Sequence, residues 1–123
     1  MDVASDRDGY PPIRDYALIG DCHGCALVSL TGSINWCAFG RFDAEPTLCR
    51  LLDRKKGGFL STMPSGSYET SRRYLDGTNI LRTVLTGPSG TVALIDHMPV
   101  GRRPGAGVHD YTTLAAANLL VRT

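Results

Sequence analysis

Apolar and polar residues alternate over most of this chain, and a helical spacing shows in one stretch. From Ala26 to Leu30 runs a short aliphatic segment, followed by Thr31-Gly32 and then by Ser33 to Phe39, in which Ile34, Trp36 and Ala38 fall on one face. That pattern predicts a hairpin, with glycine supplying the positive φ of a two-residue turn and period-2 spacing sending Ile34 and Trp36 into one core. Alternation returns in Tyr68 to Leu75, Asn79 to Thr86 and Thr91 to Met98. Asp76-Gly77 and Gly87-Pro88-Ser89-Gly90 separate these runs, so three strands in meander order are expected. Between the two regions, Leu48, Leu51 and Leu52 recur at three- and four-residue spacing after Pro46 and before Lys55-Lys56-Gly57-Gly58. This predicts one short helix over Glu45 to Arg54, closed by glycine and with cations at its negative pole. Leu114 to Thr123 fits helix or strand equally. The fold class expected is all-β: an antiparallel β-sandwich, or part of one, with one short helix.

A chain of 123 residues supports one hydrophobic core. Residues 1–12 are polar and end in Pro11-Pro12, which predicts a flexible N-terminal arm and a domain running from 13 to 123. Thirteen basic residues against 12 acidic ones leave no strong field to gather nucleic acid or an anionic membrane. The longest apolar stretch, Leu114 to Val121, falls short of the roughly 18 to 20 residues of a membrane span. Asp2, Asp6, Arg7 and Asp8 stand where a secretory signal would need an apolar run, and four cysteines do not make a disulfide framework. Reduced thiols in the cytoplasm are expected.

Cys22-His23-Gly24-Cys25 has the spacing of half a zinc site, but Cys37 and Cys49 are isolated and supply no second pair, so packing is the expected role and no metal or cofactor is predicted. Asp96 and His97 are adjacent, and neighbours on a strand point to opposite faces, which excludes a catalytic dyad. Gly87-Pro88-Ser89-Gly90 lacks the spacer residue of a nucleophile elbow, and Gly105-Ala106-Gly107 lacks the third glycine of a dinucleotide loop. Glu45 and Glu69 are the chain's two glutamates, and nothing in the pattern brings them together as the paired acids of glycoside hydrolysis. Trp36, Arg41, Phe42 and Asp43 are the candidate substrate-binding residues, since an aromatic face stacks on a sugar ring while arginine and aspartate bond its hydroxyls. The competing expectation is a core tryptophan and a loop pinned by an internal ion pair.

Ile13-Arg14-Asp15-Tyr16-Ala17-Leu18-Ile19-Gly20-Asp21-Cys22, Gly32-Ser33-Ile34-Asn35-Trp36, Arg41-Phe42-Asp43, Arg73-Tyr74, Gly77-Thr78-Asn79-Ile80-Leu81 and Met98-Pro99-Val100 follow one another in order. This series resembles the N-terminal domain of glycoside hydrolase family 15, in its bacterial glucoamylase and trehalase-like branch. Asn35 stands where that family has aspartate, Gly40 where it has proline, and His23 and Cys25 where it has arginine and alanine. The resemblance implies a β-sandwich in front of a C-terminal (α/α)6 barrel that carries both catalytic glutamates and hydrolyses α-linked glucosides with inversion. This chain would then be a non-catalytic fragment that packs on the barrel and lends its Arg41 to Asp43 loop to the entrance for an α-glucan oligosaccharide or trehalose. The rival expectations are a stand-alone carbohydrate-binding module and a small zinc or redox protein built on Cys22 and Cys25.

Overall fold

Strand-forming residues bounded by glycine and asparagine turns fold here into two antiparallel sheets, in a computed structural model that describes residues 9–100, 105 and 118–123. The first sheet is built from β1 (Ala17–Gly20), β2 (Cys25–Val28) and β3 (Ile34–Ala38), in that order. The second runs β4 (Glu69–Tyr74), β5 (Leu81–Gly87), β6 (Gly90–His97) and β7 (Val121–Arg122), also in chain order. The expected hairpin and three-stranded meander are both present, and the all-β sandwich is the observed fold class. Of the ambiguous segment Leu114 to Thr123, Val121–Arg122 form β7, pairing His97 with Val121 and Asp96 with Arg122, while 114–117 lie outside the described residues. β1 was not anticipated as a separate strand. Residues 1–8, most of the expected N-terminal arm, lie outside the described residues, as do 106–117.

The core forms between the sheets from Ala17, Ile19, Ala26, Val28, Ile34 and Cys37 on one side and Leu81 and Met98 on the other. Ile19, Val28 and Ile34 are wholly buried, each such side chain contributing about 1.5–3 kcal/mol by leaving water. The register explains the membership: Ile19 faces Ala26, which faces Cys37, and Ala17 faces Val28, which faces Ile34. Trp36 corrects the sequence expectation. A β-bulge places Asn35 as an extra residue between the pairs Leu27–Trp36 and Val28–Ile34. Cys37 therefore shares the inner face with Ile34, while Trp36 joins Leu27 and Leu18 on the outer face, where it is only half-buried.

The predicted helix over Glu45 to Arg54 is a second correction: this segment is a series of turns, and the helical element among the described residues is a single 3-10 turn, Ile13–Asp15. The edge of β3 has claimed the backbone instead. Cys37 N–H donates to Leu48 O at 3.0 Å, Thr47 N–H to Cys37 O at 2.8 Å and Leu51 N–H to Asn35 O at 3.1 Å. Further on, Ile34 and Leu60 exchange two bonds at 2.8 and 3.1 Å. Residues 47 to 60 thus fence an edge that would otherwise present unpaired groups, and Leu52, one of the periodic leucines, is left 71% exposed.

Polar side chains cross between the sheets. Arg72 donates to Asp15 O (2.7 Å) and Val28 O (3.0 Å), Tyr74 Oη to Leu18 O (2.6 Å) and Asn79 Nδ2 to Gly20 O (2.9 Å). Burial lowers the Arg72 pKa, opposed by Tyr74 and Asp15, but arginine stays charged at neutral pH. Arg122 grips wholly buried Asp96 with two bonds (2.6 and 2.8 Å) and donates from Nη2 to Gly32 O at 2.7 Å. Gly32 sits at φ +78°, and a Cβ there would strike Leu94 at 2.9 Å, so the turn tolerates no side chain where the second sheet approaches.

Asp96→Ala, which leaves a buried guanidinium unpaired, should lower unfolding stability by roughly 3–5 kcal/mol in urea titrations followed by circular dichroism. The double variant Asp96→Leu/Arg122→Leu should lose far less. A single-variant loss below about 1 kcal/mol would show that the pair carries no structural weight.

Candidate functional site

Chain reversal after β3 sets up the loop singled out in the sequence. Gly40 adopts φ +81°, and Ala44 N–H closes a turn onto Arg41 O at 3.1 Å. Within that turn the Arg41 guanidinium holds Asp43 through Nε at 2.9 Å and Nη2 at 2.8 Å, with both side chains more than two-thirds exposed. Phe42, between them in sequence, is 57% exposed. The structure therefore brings Arg41, Phe42 and Asp43 together at one surface loop, the pinned arrangement that was the alternative expectation. Trp36 is not gathered with them: it lies on the outer face of the first sheet, and among the described residues no hydrogen bond joins it to the loop.

The turn between β1 and β2 is organised by Asp21, whose Oδ1 accepts from His23 N–H (2.9 Å) and Gly24 N–H (2.8 Å). That cap lets Cys22 adopt φ +71°, a conformation a non-glycine residue needs local bonding to hold. Cys22 is exposed, Cys25 and Cys49 are half-buried, Cys37 is buried, and all four are free thiols. Burial raises the Cys25 pKa, against a hydrogen bond from Trp36, with Asp21 pushing in the same direction as burial. Burial, with Cys25 nearby, pushes Cys37 from the ordinary 9.0 up to about 11. Neither is an activated thiolate. Among the described residues no three His, Cys, Asp or Glu side chains gather as a metal site.

Asp96 and His97 split as expected, one wholly buried and bonded to Arg122, the other on the opposite face. Glu45 and Glu69 are both exposed and lie on separate elements, the loop after β3 and the start of β4.

A feature absent from the sequence reading is a partly open cavity of about 140 Å³ at one end of the first sheet. Ser29, Ser33 and Asn35 form its buried wall, while Arg50 and Phe59 come from the segment that fences β3 and Ser61 follows it. Ser33 Oγ donates to Asn35 Oδ1 at 2.6 Å, Asn35 Nδ2 donates to Tyr16 Oη at 2.8 Å, and the hydroxyls of Ser29 and Thr31 lie 2.9 Å apart. The Arg50 guanidinium lies 4.1 Å from the centre of the Phe59 ring. These residues are scattered over more than 30 positions, and the bulge at Asn35 that turns them to one place leaves no mark in the polar–apolar pattern. A wider cleft of about 430 Å³ runs between residues 77–80 and 97–100.

The fold is an antiparallel β-sandwich, and among the described residues Glu45 and Glu69 do not form a carboxylate pair. In sequence, the chain is similar to trehalases. It is 34% identical over 95 residues to a trehalase of Mycolicibacterium smegmatis, covering 77% of this chain and 14% of that protein. It is 32% identical over 96 residues to a trehalase of Mycobacterium tuberculosis, covering 78% and 14%, and 30% identical over 95 residues to one of Thermoplasma volcanium, covering 75% and 15%. The chain thus spans about one-seventh of the length of these curated relatives. No family model matches it, and no solved structure does. No helix among the described residues is long and apolar enough to cross a membrane.

The thiols supply a test of the packing. Cys37 is raised in the folded state, so it contributes stability that is present below its ordinary 9.0 and lost as pH climbs through about 11. Urea midpoints measured between pH 8.5 and 11 should fall more steeply for the native chain than for Cys37→Ala. Parallel slopes would mean that the thiol titrates freely. In the same preparation, Cys22 should take up iodoacetamide first and Cys37 only after unfolding.

Proposed function

We propose that this chain is the non-catalytic front β-sandwich of a longer trehalase-type glycoside hydrolase of family 15, working beside a C-terminal (α/α)6 catalytic barrel. The observation that carries this reading is the agreement of three trehalases at 30–34% identity over about three-quarters of the chain, each of them some seven times longer than the matched part. The ordered motifs from Ile13 to Val100 support the same family. The position of the two glutamates supports the division of labour, because inversion needs an acid and a base facing each other across about 6.5–9.5 Å, and Glu45 and Glu69 occupy separate exposed loops and strand ends. The free cysteines fit a reducing cytoplasm.

In this reading, the outer row of Leu18, Leu27 and Trp36 is the apolar surface available to the barrel, and the Arg41 to Asp43 loop borders the substrate entrance. The guanidinium–carboxylate pair closes the loop around Phe42, whose exposed ring can meet a sugar face. Trehalose is the favoured substrate and other α-glucosides the alternative.

Proton NMR of a trehalose reaction tests the reading directly. The full-length protein should release one β-glucose and one α-glucose per trehalose, the signature of inversion at one anomeric carbon, while this chain alone releases none. Two α-glucose molecules, or hydrolysis by the chain alone, would refute it. In the full-length enzyme, Arg41→Ala and Asp43→Ala should each lower kcat/KM severalfold, and unchanged kinetics would remove the loop from the entrance.

A further inference from the structure

We propose that the outer edge of β6 over residues 90–94 is a pairing surface for the residues directly following Thr123 in the longer protein, which continue β7 along it. The inference rests on the proposed reading only in taking this chain as the front part of a longer one. The burial of β6 carries it. Leu94 and Asp96 are buried and Ile95 and His97 half-buried, whereas Gly90, Thr91, Val92 and Ala93 are all exposed. That boundary falls where β7 stops: His97 pairs with Val121 and Asp96 with Arg122, and Thr123 exchanges two bonds with Ile95 at 2.8 and 3.1 Å. Val92 is the telling residue. It faces Leu85 and alternates with Leu94 and Asp96, so it belongs to the inner face, yet it is 44% exposed while Leu85 and Leu94 are 0% and 3%.

Among the described residues, nothing pairs with β6 on that side beyond Ile95. Antiparallel bonding alternates along a strand, and Ile95 turns its N–H and C=O toward β7, so those of Ala93 and Thr91 point the same way. The two sides of this sheet are built differently. β4, at the opposite edge, carries Glu69, Arg72 and Arg73, and charges on an edge strand deter pairing. Residues 90–94 read Gly-Thr-Val-Ala-Leu, with neither charge nor proline, and threonine and valine favour a strand. An edge without such guards accepts another strand. The direction of β7 selects the occupant. Arg122 turns inward onto Asp96, so in the continued register the first and third residues after Thr123 also turn inward, opposite Leu94 and Val92. The second and fourth then meet Ala93 and Thr91. The two inward positions should be apolar or small, and they cover Val92.

Hydrogen exchange of the full-length protein, read residue by residue, tests the proposal. The Thr91 and Ala93 amides should exchange as slowly as that of Ile95, to within about tenfold, at every protein concentration. Proline introduced at the second residue after Thr123, opposite Ala93, should speed exchange at Thr91 and Ala93 by about tenfold or more while β5 stays protected. Val92→Lys, which sets a charge on a covered inner face, should lower the Tm of the full-length protein by several degrees. Fast exchange at Thr91 and Ala93, or a proline without effect on them, would overturn the proposal. So would an unchanged Tm in Val92→Lys, or protection that grows with protein concentration, the mark of a second copy at this edge. Such a failure would leave the trehalase reading intact, because that reading is decided by hydrolysis in the full-length protein.

Discussion

Carbonyl groups along an exposed strand edge must find donors, and for β1 the donors come from the second sheet and its β4–β5 turn. β1 ends the first sheet, and its outward Leu18 and Gly20 oxygens are taken by Tyr74 and Asn79. Arg72 fastens Asp15 and Val28, and Arg122, itself held by Asp96, fastens Gly32. A thin sandwich with an eight-member buried cluster has limited apolar stabilisation, so satisfying these edge groups fixes how one sheet lies on the other. The apolar core supplies attraction without direction, and the directed bonds supply register.

This arrangement gives a physical account of several residues that carry the family resemblance. Tyr74 and Asn79 belong to the Arg73-Tyr74 and Gly77 to Leu81 motifs and serve as edge donors, while Asp21 caps the β1–β2 turn. Their roles are architectural. On the proposed reading, a front domain that contributes no acid or base to the reaction would still depend on these bonds, since a displaced sheet would displace the Arg41 to Asp43 loop at its end. The loop and the hydroxyl-lined cavity flank β3 from different sides, one built from its C-terminal continuation and the other from the bulge at Asn35 and the fencing segment.

The strands β2 to β6 were legible because alternation and turn residues are local signals, and the hairpin turn at Gly32 follows from a single glycine. The helix over Glu45 to Arg54 was misread because leucine spacing reports only intrinsic preference, whereas the unpaired edge of β3 drew the backbone of Thr47, Leu48 and Leu51 into bonds with it. Trp36 was misplaced for a related reason: one extra residue in β3 reverses which face each later side chain takes. The Arg41–Asp43 pair was readable because its partners are two residues apart. The Asp96–Arg122 pair and the Ser29 to Ser61 cavity wall were not, since nothing local connects residues separated by 26 and 32 positions.

Native-state hydrogen exchange on the chain carrying Arg72→Met tests the central claim most directly. If cross-sheet bonds fix the sandwich, amides of β1 and β2 should lose protection together with those of β4 and β5, although the substitution lies on β4 alone. Faster exchange confined to β4 and β5 would contradict the account and leave the two sheets held by apolar contact only.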